Sequence, residues 1–399
     1  VSGVAPELAP SATAIALAAP TRLVFGAGAA RHVGALARDF GAHALLVTGR
    51  GGSRAAPVID ALAASGVRAT SFGVSGEPTV DVARAGVAKA AGCDLVVAFG
   101  GGSVLDAAKA IAALLGNGGD PLDYLEVVGR GQPITKPSLP FLAIPTTAGT
   151  GSEITKNAVL ASPEHGVKAS LRSPLMQARV AIVDPDLLAR LPAPVVASSG
   201  LDALSQLIEP LVSIRATPAT DELARAGIPL SARALRPAFE AARAGRDIAP
   251  EHRAALALAS LYGGLCLANA GLGAVHGLAA PLGGMFSAPH GAVCAALLPA
   301  VLRVNARALA ARAPDSPALP RLREVAALVT GRAGASIDDG VAWIAELVAA
   351  LEVPGLTRHG LTPARVPELV SKARVASSMK GNPLPLTDEE LTEIASNFL

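Results

Sequence analysis

The chain has 399 residues, with 34 Lys and Arg against 32 Asp and Glu, so its formal charge is only +2. Hydrophobic residues reach 51% and charged residues 17%, which excludes a disordered chain and allows two or three buried cores. No block of Lys and Arg is present, so neither nucleic acid nor a membrane surface is an expected partner.

In chain order, Val1 to Pro20 is Ala-rich, and no cation precedes its apolar stretch Thr13–Ala19. It therefore reads as a loosely held tail over residues 1–18 rather than a signal peptide. No uninterrupted apolar run has the length of a membrane span, and the expectation is a cytoplasmic protein. Strand-like and helix-like stretches then alternate. His43–Thr48 and Val67–Val74 read as strands around a helix at Pro57–Ala64. A helix at Val80–Ala91, a strand at Asp94–Phe99 and a helix at Val104–Leu115 follow, then strands at Phe141–Thr147 and Ala178–Val183. Such alternation, with strands apolar on both faces, predicts a parallel sheet covered by helices. After Asp184–Pro185 the apolar spacing turns helical, through Val195–Val212, Ala254–Leu267, Val293–Val304, Leu322–Leu328 and Val341–Leu351. The expected organisation is an α/β dinucleotide-binding domain over residues 19–187 and an all-α domain over 188–399, with the site in the cleft between them.

Gly100–Ser103 (GGGS) lies between a buried strand and a helix, where the backbone can approach a pyrophosphate and the helix offers free N–H groups. Pro145–Glu153 (PTTAGTGSE) adds hydroxyls and flexible backbone at the end of another strand. Gly26–Arg31 (GAGAAR) begins like a dinucleotide fingerprint, but Arg31 fills the third glycine's place, so it reads as a structural turn. Cys93, Cys266 and Cys294 are far apart in apolar segments and read as small buried hydrophobes.

Four segments in order, Phe99–Lys109, Pro145–Glu153, Gly200–Ser213 and Asn269–Pro299, resemble the iron-containing (group III) alcohol dehydrogenase family. Its relatives include maleylacetate reductases and, more distantly, dehydroquinate synthase. The resemblance implies hydride transfer between NAD(P) and a small alcohol or its carbonyl, in a homodimer. It assigns the pyrophosphate to Gly101, Gly102 and Ser103, and the nicotinamide end to Thr146, Thr147 and Thr150. Asp106, Ser152 and Lys168 are carried over as further cofactor contacts.

In the family a divalent metal sits on an Asp, a His four residues on, and two later His. The matching positions are Asp202, Gln206, His276 and His290. Spacing puts Asp202 and Gln206 on one helix face, and an Asp with two His suits Fe(II), Zn(II) or Mn(II). Gln206 departs from the pattern and predicts weaker binding. Ala280 stands where many relatives carry another His, which removes a proton relay. Asp202 and the VLDAAK helix favour an alcohol dehydrogenase over a maleylacetate reductase. The cation-free Asp202–Ser213 segment argues against a lyase that binds a phosphorylated substrate. A metal-free nucleotide-binding relative stays open through Gln206.

NAD-selective relatives place an Asp after the strand that matches His43–Thr48. Here Gly49, Arg50, Gly51, Gly52, Ser53 and Arg54 follow, a set suited to a 2′-phosphate, so NADP is expected over NAD. Lys380, in a family-like stretch ending Asn382–Pro383, is the expected catalytic or substrate contact, with a solvated surface lysine as the alternative.

Overall fold

The computed structural model describes residues 17–20, 22–50, 52–286 and 288–396, apart from the Ser53 side chain. The first half runs β1 (Arg22–Phe25), α1 (Val33–Arg38), β2 (His43–Gly49), α2 (Ala56–Ala64), β3 (Arg68–Val74) and α3 (Val80–Lys89). Next come β4 (Leu95–Gly100), α4 (Gly102–Asn117), the single turn α5 (Pro121–Tyr124) and β5 (Phe141–Pro145). A hairpin of β6 (Asn157–Ser162) and β7 (Val167–Arg172) precedes β8 (Val180–Val183).

Six strands form one parallel sheet in the order β1-β8-β5-β4-β2-β3. Its central strands are apolar throughout because both faces are covered. Leu46 and Val97 pack with Leu36 of α1 and Leu62 of α2, whereas Leu45 and Val96 pack with Leu105 and Ile111 of α4. The chain leaves β2 for the edge strand β3 and returns to the other side of β2 as β4. The helices after β2 and β4 thus lie on opposite faces, which opens a crevice at the carboxyl ends of these strands.

The second half is helical among the described residues: α6 (Ala193–Val212), α7 (Pro218–Arg243), α8 (Pro250–Ala270), α9 (Ala274–Phe286), α10 (His290–Arg312), α11 (Ala318–Thr330), α12 (Ile337–Ala350), α13 (Val366–Arg374) and α14 (Asp388–Ser396). α10 is long and apolar enough to cross a membrane by length and composition, yet 83% of that stretch is buried. Apolar residues on every side are what a core helix surrounded by other helices requires. One continuous core joins the halves, with Ala148, Ile154 and Val183 packed among Leu201, Leu204 and Leu261.

Three features depart from the sequence expectations. The β6–β7 hairpin was not anticipated. Neither was α7, which runs through Pro229 and Pro237 and is anchored by buried Ile228, Leu235 and Phe239. The tail proposed for residues 1–18 lies outside the described residues as far as residue 16. Its inner end is fastened, however: Ala18 N donates to Asn269 Oδ1 at 2.6 Å, and Asn269 Nδ2 donates to the Ala18 carbonyl at 3.1 Å. Gly26–Arg31 is the turn expected. Gly28 sits at φ +71°, and Asp184 accepts from the N–H groups of Gly28 and Ala30 at 2.9 and 3.0 Å.

Candidate metal and nucleotide site

β4 and β5 lie side by side in register, Gly100 against Pro145, so the two motif loops leave the sheet together. Thr146 N donates to the Gly100 carbonyl at 2.9 Å. Gly101 precedes α4 and no side chain caps the helix, which leaves first-turn N–H groups facing outward for an anion. In this cradle a Cβ on Gly102 would come within 2.6 Å of Thr150 Cγ2, closer than side-chain carbons approach, whereas one on Gly101 would make a tight contact of 3.3 Å with Thr147. Thr147 and Thr150 thus pack against Gly101 and Gly102, with Thr146 tied to Gly100 beside them.

Asp106 and Ser152 have a different setting from these residues. Ser152 Oγ donates to Asp106 Oδ1 at 2.5 Å, and Val159 N donates to Asp106 Oδ2 at 3.0 Å. Behind them the fully buried Lys109 ammonium donates to the carbonyls of Ser152 and Asn157, both at 2.7 Å, and to Thr155 Oγ1 at 3.0 Å. This brace ties α4 to the Pro145–Glu153 loop and to the hairpin. Burial lowers the Lys109 pKa to about 8 and raises that of its neighbour Glu153 to about 7. Neither residue had been given a role from the sequence. The signal available was a charge embedded in an otherwise apolar helix or loop. Lys168, on β7, pairs with Glu77 at 2.9 Å and approaches α9 near Gly283.

At the end of β2, Gly49 and the exposed Arg50 open the turn, and Gly52 sits at φ +53°. Arg54 is exposed and donates to the Leu187 carbonyl at 2.8 Å. Gly51 lies outside the described residues. β2 adjoins β4 in the sheet, so this turn borders the same carboxyl edge as the two motif loops.

In the helical half, α6 brings Asp202, α9 brings His276 and α10 brings His290 to one point. Asp202 Oδ1 lies 3.2 Å from His276 Nε2 and 3.8 Å from His290 Nε2. A fourth side chain joins them. Cys294, one turn beyond His290 on α10, has its Sγ 3.7 Å from His290 Nε2. One donor atom from each of Asp202, His276, His290 and Cys294 lies within 4.8 Å of all the others. Cys93 is only partly buried, while Cys266 and Cys294 are buried in the apolar core as expected, but Cys294 also stands among these donors. Its spacing of four from His290 was legible; its facing Asp202 was not.

Gln206 shares the Asp202 face of α6 as the spacing predicts. Its Nε2 donates to Asp202 Oδ2 at 3.0 Å, while its buried Oε1 has no partner. Glu209, one turn further on, supports His276: its Oε2 accepts from His276 Nδ1 at 2.5 Å, and its Oε1 accepts from Val275 N at 2.7 Å. This leaves His276 Nε2 turned toward Asp202, the arrangement in which a carboxylate orients a ligating imidazole. Burial opposes charge on His276, but Cys294, Glu209 and Asp202 outweigh it and hold its pKa well above the ordinary value. Cys294 also leads in raising His290 to about 9, despite burial. Two carboxyl groups and a thiol around two imidazoles make a pocket that favours a cation, and the donor set fits a divalent metal.

The Pro145–Glu153 loop spans the two parts of the site. Thr150 meets Gly102, and Gly149 backs onto Ser199 of α6. Gly151, at φ +60°, lies so close to α8 that a Cβ would fall 2.4 Å from Gly264 Cα and 3.6 Å from Gln206 Oε1. Lys380 is not among the converging side chains. It is exposed on a turn whose Met379 packs on Gly277 and whose Asn382 accepts from Ala274 N at 3.1 Å.

A dinucleotide-type sheet that shares a core with a helical domain, and is bridged by this loop to a metal-competent cluster, fits the class of metal-dependent nicotinamide oxidoreductases. The model for iron-containing alcohol dehydrogenase matches residues 20–185, and that for the Fe-containing alcohol dehydrogenase family, C-terminal, matches residues 196–399. The chain is 33% identical to a choline dehydrogenase of Bacillus subtilis over 93% of this chain and 91% of that one. It is 34% identical to a lactaldehyde reductase of Escherichia coli over 85% and 86% of the two chains. Among solved structures, a 1,3-propanediol oxidoreductase superposes with a TM-score of 0.87 at 31% identity, covering 96% of this chain and 99% of that one. A sulfoacetaldehyde reductase from Bifidobacterium kashiwanohense, in complex with NAD+, gives 0.83 at 28% identity over 96% and 98%. The chain belongs to the iron-containing alcohol dehydrogenase family. It is an oxidoreductase acting on an alcohol or its carbonyl counterpart, with a nicotinamide dinucleotide and a metal as the family's cofactors.

Proposed function

We propose that the protein is an NADP(H)-preferring alcohol dehydrogenase or carbonyl reductase that works on small substrates in the cleft between its two halves. The observation that carries this reading is the Pro145–Glu153 loop, whose residues touch the glycine cradle on one side and the Gln206 and Ser199 helix on the other. A dinucleotide held at the cradle would have its reacting end carried along that loop toward the cluster.

Gly101, Gly102 and Ser103 bind the pyrophosphate through backbone N–H groups, and Thr146, Thr147 and Thr150 border the nicotinamide end. Lys168 stays a cofactor contact in this reading, its ammonium held by Glu77. Asp106 and Ser152 keep the loop in shape through the Lys109 brace. Asp202, His276 and His290 hold the metal, Fe(II) or Zn(II), with Gln206 beside them and Glu209 fixing the His276 ring. When bound, the metal would supply Lewis-acid polarisation of the substrate oxygen, and the nicotinamide the hydride chemistry. The buried surroundings of Asp202 and His276 exclude bulk water, whereas the His290 side chain stays 40% exposed and marks the open side. With Ala280 where relatives carry His, the proton on the substrate oxygen would have to pass through water, a ribose hydroxyl or another side chain.

The preference for NADP(H) rests on the β2 turn, which presents exposed Arg50 and Arg54 and no carboxylate. A homodimer is supported by β1, an edge strand that leaves Leu23 42% and Phe25 39% exposed. Three free thiols agree with a reducing cytoplasm. Steady-state kinetics with an aldehyde panel test the reading. kcat/KM should be higher with NADPH than with NADH, and the Arg50→Ala, Arg54→Ala double variant should lose that margin. Equal use of NADH, or unchanged NADPH affinity in the double variant, would sink the 2′-phosphate assignment.

A further inference from the structure

Gln206 reaches the cluster as a hydrogen-bond donor. Its Nε2 holds Asp202 Oδ2 at 3.0 Å. The opposite amide orientation would set its oxygen against a carboxylate oxygen, so the hydrogen-bond network selects the one observed. Its Oε1 then points away from Asp202 and finds no partner. In this pose the amide orients Asp202, and its oxygen lies toward Gly151 and Gly263.

Cys294 has what Gln206 lacks. A tetrahedral metal with bonds of about 2.0–2.1 Å to N or O and about 2.3 Å to sulfur has edges of about 3.3 Å between N and O donors, and about 3.6 Å between N and S. The separations of 3.2 Å for Asp202–His276, 3.8 Å for Asp202–His290 and 3.7 Å for His290–Cys294 already lie near those edges. Cys294, which is buried, and His290, which is partly exposed, are one turn apart on α10 and so face the same point.

Taking as its basis the metal site proposed above, we propose that Cys294, not Gln206, is the fourth protein donor, and that Gln206 is a positioning residue for Asp202. The substrate oxygen would then enter as a fifth donor, an expansion that zinc allows. On binding, the protons carried by the His276, His290 and Cys294 donor atoms pass to solvent, and the thiolate joins Asp202, so two anionic donors neutralise the dication. A thiolate in the set favours Zn(II) over harder ions.

The apo protein is loaded with zinc, its stoichiometry measured, and the ligand shell read by X-ray absorption. Wild type should bind one zinc with a sulfur neighbour at about 2.3 Å beside nitrogen and oxygen at about 2.0–2.1 Å. Cys294→Ser should lose the sulfur shell and bind more than tenfold more weakly. Gln206→Ala should keep the sulfur and lose about 10–100-fold in affinity, as expected for an orienting partner. One zinc bound by wild type through nitrogen and oxygen alone would overturn the proposal and leave the metal site standing. So would a sulfur shell that persists in Cys294→Ser. No zinc on wild type would overturn the metal site and this proposal together. The deciding spectrum is that of wild type, so a variant that fails to fold does not settle the matter.

Discussion

Replacing Glu209 by Gln tests whether the carboxyl group behind His276 holds the site in shape. Glu209 is buried and uses both oxygens, one for His276 Nδ1 at 2.5 Å and one for Val275 N at 2.7 Å. Glutamine keeps the length but offers a single acceptor. If its oxygen stays on His276, the N–H of Val275, in the first turn of α9, meets an NH2 group and goes unpaired. If it stays on Val275, the His276 ring meets the NH2 group and reverses its tautomer. An unpaired buried donor costs about 1–3 kcal/mol. A lost orienting partner costs about 10–100-fold in metal affinity, or about 1.4–2.8 kcal/mol. Zinc titration of the apo protein against a competing chelator should show that weakening, and apo thermal unfolding should fall by a few degrees. Glu209→Ala should be worse on both counts. Zinc affinity within twofold of wild type in Glu209→Gln would refute an orienting role for this carboxyl group.

Gly151→Ala should destabilise the protein by about 2–4 kcal/mol, adding a left-handed backbone penalty to a clash with the backbone of Gly264. A lowered denaturant midpoint and weaker dinucleotide binding would report it; an unchanged midpoint would mean the loop does not close on α8. Burial raises the Glu153 pKa from 4.5 to about 7, so the folded state prefers the neutral acid. At pH 4 this difference costs nothing, stability falls as pH rises from 4.5 to 7, and above 7 the full cost is about 3 kcal/mol. Glu153→Gln should therefore leave stability at pH 4 nearly unchanged and raise it at pH 8 in urea unfolding. Equal effects at both pH values would contradict the shift.

The strands of the sheet were legible because a parallel sheet covered on both faces demands unbroken apolar runs, as in Leu95–Gly100. The cradle was legible because glycine without a side chain is a local requirement, and Asp202 and Gln206 share a helix face by spacing alone. The hairpin β6–β7 escaped detection because half its residues are only partly buried and its strands lack a clean apolar run. Helix α7 escaped because Pro229 and Pro237 mask its period, and only its packing on the neighbouring helices compensates for them. The convergence of Asp202, His276, His290 and Cys294, and the partners of Glu209 and Lys109, depended on how α6, α9 and α10 dock and how the loop folds over α4. Periodicity along one chain segment tells which side chains share a face. Only the crossing of separate helices decides which faces meet, because side chains from segments distant in sequence make that contact.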